Sequence, residues 1–128
     1  MKSVEITEET IKTLVDQFYI RVRSDSELGP VFNQALGYSD EEWQPHLERM
    51  YSFWSSIMLA SRRYHGNPIQ KHLNLPAFDR SLFDRWLELF SETANEVHEP
   101  EVAQKYIIKG QNIAKNFKQM LYPKTEAR

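Results

Sequence analysis

The sequence predicts an all-α fold, and three observations lead to that prediction. Apolar residues recur at spacings of three and four along four long segments, which is the pattern of a helix with one buried face. No segment shows the sustained alternation of apolar and polar residues that a half-buried strand would show. Capping residues and a proline mark the starts of these segments at Thr7, Ser39, Asp79 and Pro100. We therefore expect four substantial helices and several short ones.

The composition describes one ordinary globular domain. A chain of 128 residues, 41% hydrophobic and 27% charged, predicts a single domain over residues 1–128 with a frayed tail at 124–128. A net charge of −2 and a pI near 6.1 give no basic field for nucleic acid or an anionic membrane. The absence of cysteine excludes disulfides and thiol chemistry. Neither a secretory signal nor a membrane-spanning run is visible, so the cytoplasm is the expected compartment.

The first predicted helix begins after Thr7, which can cap it, and ends near residues 24–26. Glu8 and Glu9 lie in its first turn, where carboxylates interact favourably with the helix dipole. Tyr19 belongs to its apolar stripe, and the simplest interpretation is a core tyrosine with its hydroxyl at the edge. The stripe consists of Ile11, Leu14, Val15, Phe18, Tyr19 and Val22.

An irregular corner at residues 29–37, with a short turn carrying Phe32, precedes the second long helix. A capping box at residues 39–42 starts this helix. Pro45 lies too deep for one unbroken helix, so either the helix restarts there or it kinks. His46 begins the apolar stripe, either as a boundary residue or as a functional one. The stripe continues with Leu47, Met50, Phe53 or Trp54, Ile57 and Met58.

A short segment between Pro68 and Pro76 contains His72. Pro68 suits the first position of a helix and Pro76 ends it, which leaves barely two turns. Such a helix is unstable alone, so it must dock through its apolar residues, and His72 then points inward with them. A buried imidazole needs a hydrogen-bond acceptor or a metal ion, and the residues alone leave both interpretations open.

Two further helices complete the predicted fold. Asp79 can cap the first, whose broad apolar face predicts deep burial, and the indole N–H of Trp86 on that face needs a partner. Pro100 opens the last helix, which ends at residues 122–123. The first face consists of Leu82, Phe83, Trp86, Leu87, Leu89, Phe90 and Thr93, and the second of Ala103, Tyr106, Ile107, Gly110, Ile113, Ala114, Phe117 and Leu121.

Other kinds of active site find little support in the motifs. The chain has no glycine-rich phosphate loop, HExxH motif or EF-hand pattern. His65 and His72 are poorly spaced for one zinc ion because Pro68 lies between them, and no ExxH pairs suggest a di-iron site. A Ser/His/Asp set stays open, although no nucleophile elbow marks it. The 12% aromatic content fits either a rich aromatic core or packing around a flat group.

Five residues, by their order and spacing, resemble the truncated haemoglobins and specifically their third group. They are Tyr19, Phe32, His46, His72 and Trp86, with Tyr64 and Gly66-Asn67-Pro68 before His72. The resemblance extends from Thr7 to Tyr122, and the Gly-Gly pairs typical of the other two groups are missing. It implies a two-over-two helical sandwich, with the B and E helices packed against the G and H helices around haem b.

The same resemblance implies a role for each of the five residues. His72 matches the proximal ligand of the iron, and Phe32 matches the phenylalanine that stacks on the haem. Tyr19, His46 and Trp86 match residues of the distal pocket. These roles combine one metal ligand with three hydrogen-bond donors.

The rest of the expected haem site is less specific. Arg49 and Lys71 are expected to bind the haem propionates. An apolar slot suits a porphyrin. The residues that could line this slot are Phe18, Met50, Phe53, Trp54, Leu73, Phe78 and Leu82.

Two classes of function follow from the resemblance. The first is a haem protein that reversibly binds O₂, and also CO and NO, with slow release of O₂ because the distal pocket is polar. The second is a haem enzyme for NO dioxygenation or peroxidase-like chemistry, with His46 as proton donor. Such an enzyme needs a separate reductase, because the chain contains no flavin or nicotinamide domain. A helical interaction domain without haem is a third interpretation.

Overall fold

A computed structural model describes residues 2–68 and 79–121 of the chain. Within these ranges the chain forms five helices and no strand beyond an isolated parallel bridge between Ser3 and His98. The prediction of an all-α fold is therefore confirmed. The helices are α1 (Glu8–Ser24), α2 (Leu28–Leu36), α3 (Asp40–Leu59), α4 (Leu82–Val97) and α5 (Pro100–Leu121).

The segment predicted to contain the iron ligand lies outside the described residues. It includes His72 as well as Lys71, Leu73 and Phe78, and the first described range ends just before it at Pro68. The expected frayed tail lies outside the described residues too.

The described helices pack in two layers, as the sandwich prediction requires. Helix α1 packs on α2 and α3, α4 packs on α5, and α1 also contacts α4, which joins the layers. The ring of Phe90 lies 5.3 Å from that of Phe18 and 4.8 Å from that of Trp54, so aromatic side chains fill the space between the layers. None of the helices in these two ranges has the length and apolar character needed to span a membrane.

Helix α2 makes the corner after α1 more regular than predicted. The expected short turn is a nine-residue helix with Glu27 at its N-cap. The carboxylate of Asp25, two residues before that cap, accepts a hydrogen bond of 2.9 Å from the backbone N–H of Leu28 and satisfies one donor of the first turn. Pro30 lies in the first turn, where a missing N–H costs no helical hydrogen bond. Gly29 allows close packing of α2 on α1, since a Cβ there would lie 2.8 Å from the carbonyl oxygen of Arg23.

Helix α3 continues without a break through Pro45, so a restart at this residue is wrong. The predicted capping box of Ser39 and Glu42 is present. The following residue, Trp43, is fully buried and holds the first turns against the protein. Burial of an aromatic ring contributes about 4 kcal/mol, which offsets the roughly 3 kcal/mol that an interior proline costs a helix. His46 therefore lies in the second turn of α3 rather than at the start of a helix.

The starts of the other helices follow the predictions with one exception. Thr7 caps α1 through a reciprocal pair of hydrogen bonds with Thr10, and α5 begins at Pro100. Asp79 does not cap α4, because a turn intervenes and Ser81 occupies the capping position. The Asp79 carboxylate accepts instead from the backbone N–H of Ser81 at 2.8 Å.

An ion pair between Asp25 and Arg85 ties the corner of α1 and α2 to α4. The Asp25 side chain is only 6% exposed and accepts from Nε and a terminal nitrogen of Arg85 at 2.9 and 2.7 Å. The bonds from Arg85 outweigh the effect of burial and hold the pKa of Asp25 below its usual 3.8, with help from the backbone N–H of Leu28.

We expect Asp25→Asn to lower the free energy of unfolding by roughly 2 kcal/mol at neutral pH, because charge-assisted hydrogen bonds are lost. The contribution of Asp25 is complete above its unfolded pKa of 3.8 and disappears as the pH falls through the lower folded pKa. The difference between variant and parent should therefore shrink in acid. Urea unfolding at neutral pH and at the lowest pH where both remain folded measures this difference.

Asp40→Asn is the matched control for this prediction. Asp40 also pairs with an arginine, Arg23, at 2.8 Å, but its side chain is 94% exposed. We expect a loss below about 0.5 kcal/mol for this exposed pair. Equal losses from the two variants would show that the Asp25 pair contributes no more than a surface contact.

Candidate functional site

A cavity of about 920 Å³, including its open mouth, is enclosed by residues from all five helices. Its wall is almost entirely apolar, which is typical of the binding sites of small molecules and cofactors. Eight of the residues predicted for the site contribute to this wall. They are Tyr19, Phe32, His46, Met50, Phe53, Trp54, Leu82 and Trp86.

The polar side chains of the wall lie close together, one from each of three helices. Tyr19 of α1 has its ring 4.9 Å from the imidazole of His46 on α3, at an angle of 89°. The indole of Trp86 on α4 donates a hydrogen bond to the Tyr19 hydroxyl. The structure thus brings together the three residues that were predicted to be distal.

The Tyr19 hydroxyl is held as a neutral hydrogen-bond donor. Tyr19 is 5% exposed, and this burial raises its pKa far above the ordinary value of 10.0, although the bond from Trp86 opposes the shift. Because the hydroxyl oxygen accepts from Trp86, its own proton is available to another acceptor. An electron-rich group in the cavity would be such an acceptor.

Trp43, for which the sequence predicted no role, supports this polar group. Its indole N–H donates to the carbonyl oxygen of Gly37 at 3.0 Å, and the guanidinium of Arg23 lies 5.0 Å from its ring. Its ring lies 5.7 Å from that of His46 and 6.0 Å from that of Phe32. Trp43 therefore fixes the first turns of α3 and the position from which His46 extends. A tryptophan directly after a capping box was the available signal.

Arg49, which was predicted for the site, does not line the cavity. It is exposed, and its charge lowers the pKa of Tyr64, although burial raises that pKa by more. The Tyr64 ring lies 5.2 Å from Phe53, which is a wall residue. Arg49 is thus close enough to Tyr64 for its charge to act on that hydroxyl. Pro68, the last residue before the undescribed segment, also lines the cavity.

The structure corrects the predicted lining in two ways. Phe18 is not part of the wall; it is 1% exposed and packs behind the wall against Tyr19 and Trp86, at 4.8 and 5.5 Å. Several wall residues were assigned to the core or to a turn, because the apolar spacing of a helix does not distinguish a cavity from a core. These residues are Val31, Phe83, Ile113, Ala114 and Phe117, and the wall also contains Leu28 and Ala35, for which no role was predicted.

Comparison with known proteins agrees with this geometry. The sequence matches the bacterial-like globin family over residues 6–120. It is 43% identical over 122 residues to the group 3 truncated hemoglobin ctb of Campylobacter jejuni, a match that covers 95% of this chain and 96% of the relative. The chain belongs to the group III truncated haemoglobins.

The fold of this globin matches that of a solved member of the group. It superposes on the crystal structure of group III truncated hemoglobin from Campylobacter jejuni with a TM-score of 0.93 and 42% identity. The superposition covers 96% of this chain and 97% of the other. The predicted truncated-globin sandwich is confirmed.

Membership of the globin family implies haem binding, and the described residues of this globin form a cavity that suits a haem. A porphyrin is flat and largely apolar, and the cavity wall is apolar with aromatic rings from Phe32, Phe53 and Trp54. The hydroxyl of Tyr19 and the imidazole of His46 place two polar groups on this wall. Arg49 is an exposed cation, and such a side chain has the charge that a haem carboxylate would pair with.

Proposed function

We propose that this chain is a haem b protein that reversibly binds O₂ at ferrous iron, and also binds CO and NO. The observation that carries the proposal is the convergence of Tyr19, His46 and Trp86 on one otherwise apolar cavity. The match to the bacterial-like globins supports the haem, and this polar group supports a charged, oxygen-like ligand. The whole chain, residues 1–128, would form one haem-binding domain.

His72 is the proposed protein ligand of the iron. It follows Pro68 by four residues, which keeps its Cα within about 14 Å of a residue of the cavity wall. Phe32, Met50, Phe53, Trp54 and Leu82 would pack on the porphyrin together with Leu73 and Phe78, while Arg49 and Lys71 would pair with its propionates. Apolar packing of this kind would exclude water from the iron.

When bound, haem supplies the iron at which a gas molecule binds and gains partial negative charge. The Tyr19 hydroxyl would donate a hydrogen bond to that charged ligand. Trp86 would make the Tyr19 hydroxyl a stronger donor, because its indole N–H bonds to the hydroxyl oxygen. Each charge-assisted bond contributes roughly 1.5–3 kcal/mol, and about 1.4 kcal/mol corresponds to a factor of ten in affinity. We therefore propose slow O₂ release, which suits scarce oxygen better than oxygen carriage.

A second candidate function is NO dioxygenation or peroxidase-like chemistry. The position of the His46 imidazole beside the Tyr19 ring favours it, because His46 could deliver a proton to a ligand that Tyr19 holds. Repeated turnover would require electrons from a separate reductase.

The spectrum and the kinetics of the purified protein test these proposals. We expect a Soret band and the spectrum of an oxygenated ferrous haem in air, followed by slow exchange of O₂ for CO. Loss of NO under O₂ with a reductase present, at many molecules per haem, would favour the enzyme instead. A protein without a Soret band after haem addition would contradict both.

We predict that His46 controls access of the ligand more than it supports the fold. The residue is half-buried on the cavity wall, and Pro45 removes one helical hydrogen bond from its turn. His46→Leu should change the association rate of CO, measured by flash photolysis, while the unfolding midpoint moves little. His65→Leu, which removes an exposed histidine outside the wall, is the control. A loss of several kcal/mol in stability with unchanged CO kinetics would identify His46 as a structural residue.

A further inference from the structure

The carboxylate of Glu8 connects the first turn of α1 to the loop that follows α3. Its Oε2 accepts a hydrogen bond of 2.6 Å from the hydroxyl of Ser55, and its Oε1 accepts one of 2.6 Å from the guanidinium of Arg63. The hydroxyl oxygens of Ser55 and Ser61 lie 2.7 Å apart. Because a carboxylate only accepts hydrogen bonds and Ser55 has a single hydroxyl proton, Ser61 is the donor in this second bond. Glu8 therefore holds the loop at both Ser61 and Arg63.

The loop depends on such contacts because part of its backbone has an unfavourable conformation. Ala60 ends α3 with a φ of 55°, and Arg62 has a φ of 62°, both in the left-handed region that a Cβ disfavours. The contacts at Ser61 and Arg63 lie on either side of Arg62 and hold the chain in this conformation. Ser55 is 0% exposed, so its hydrogen bonds are shielded from water.

The same loop joins two parts of the cavity wall. Trp54 of α3 lines the wall before the loop begins, and Pro68 lines it again where the loop ends. Between them the ring of Tyr64 lies 5.2 Å from that of Phe53, another wall residue. The path of the loop therefore sets the position from which the chain continues after Pro68, and His72 follows four residues later.

We propose that Glu8 is a positioning residue for the iron ligand: by fixing the loop through Ser55 and Arg63, it restrains the position from which His72 reaches the iron. This inference rests on the proposed function, in which the cavity binds haem and His72 is the ligand. Hydrogen bonds outside the ligand shell of a metal orient its ligands, and a ligand without such support has no single geometry. A loop released from Glu8 would therefore hold the iron–imidazole bond less firmly.

The test records the iron–imidazole stretching band of the ferrous, haem-loaded protein without a gas ligand, by resonance Raman spectroscopy. Glu8→Gln removes the charge but keeps the size of the side chain, and Ser55→Ala removes the buried hydroxyl. We expect the band to shift or broaden in both variants, and haem to pass several-fold faster to an excess of an acceptor apoglobin. Glu9→Gln is the matched control, because it removes an exposed carboxylate from the same first turn of α1. It should behave as the parent does.

Arg63 provides a second pair of variants that leave the buried part of the network intact. Its side chain is 46% exposed, so its replacement should not prevent folding. Arg63→Ala should move the band in the same direction as Glu8→Gln. Arg63→Lys keeps a cation that can pair with Glu8, and its band should lie closer to that of the parent. This pair decides the question if Glu8→Gln or Ser55→Ala does not fold.

Two results would overturn the inference. A lower unfolding midpoint in the Glu8 and Ser55 variants, with the band and the haem transfer rate of the parent, would show that the network only stabilises the fold. An equal change in Glu9→Gln would show that the charge of the first turn matters rather than the contact with the loop. A parent without a Soret band, or a His72→Ala protein that keeps the stretching band, contradicts the proposed function instead.

Discussion

Replacing His72 with alanine is expected to produce a protein that loses haem or binds it weakly, and this is the largest effect that we predict. The residue lies between Pro68 and Pro76, and it matches the proximal ligand of the truncated haemoglobins. An imidazole fixes the iron on one face of the porphyrin, whereas packing against the cavity wall fixes only the ring. Without His72, the remaining attractions would be the apolar contact with the wall and the proposed pairs of Arg49 and Lys71 with the propionates.

Haem content and the Soret band of the purified variant measure this effect. Added imidazole should restore much of the haem binding, because it can occupy the space of the lost side chain and supply the same ligand atom. His65→Ala is the matched control, because it removes an exposed histidine from the same part of the chain. A His72→Ala protein with full haem content and an unchanged Soret band would exclude His72 as the ligand.

The parts of the fold that could be predicted are those that local interactions decide. The cap at Thr7 and the stripe that contains Tyr19 predicted α1, because capping and helical periodicity depend on neighbours within one or two turns. The corner at α2 could not be predicted in this way. Gly29 and Pro30 are typical of a turn, but they also suit the first turn of a helix. The hydrogen bond from the backbone N–H of Leu28 to Asp25, together with the packing on α1, decided between the two.

The polar residues of the candidate site could be predicted from the sequence, but the apolar residues that line its cavity could not. Tyr19, His46 and Trp86 were identified by their resemblance to a family pattern, and the fold brings them together from three helices. Phe18 and Phe83 look alike in the sequence, since each belongs to an apolar stripe. Only the packing of the two layers places Phe18 behind the wall and Phe83 on it.

Removing the hydroxyl of Tyr19 should accelerate O₂ dissociation by roughly ten- to a hundredfold, because one charge-assisted hydrogen bond contributes about 1.5–3 kcal/mol. Tyr19→Phe keeps the ring and its contact with His46, so the effect should be electrostatic rather than steric. The raised pKa of Tyr19 means that the parent hydroxyl carries its proton at every pH at which the protein would be studied. The off-rate should therefore show no titration of this group near neutral pH.

CO provides the internal comparison for this prediction. Bound CO carries much less negative charge than bound O₂, so its dissociation should change far less in Tyr19→Phe. Tyr51→Phe is the control variant, since its hydroxyl bonds to Asp16 and its ring is not part of the cavity wall. Off-rates of both gases from parent and variants, measured by ligand replacement, give the two ratios.

Trp86 tests whether the two donors act as one unit. Its indole N–H bonds to the Tyr19 hydroxyl, so Trp86→Phe should weaken that donor as well as remove a possible contact with the ligand. If the donors are coupled in this way, the O₂ off-rate of the double variant should be slower than the product of the two single effects predicts.

Equal fractional changes in the off-rates of O₂ and CO in Tyr19→Phe would contradict the hydrogen-bonding role of Tyr19. Such a result would mean that the residue acts by its shape, because a steric change does not distinguish the two gases by charge.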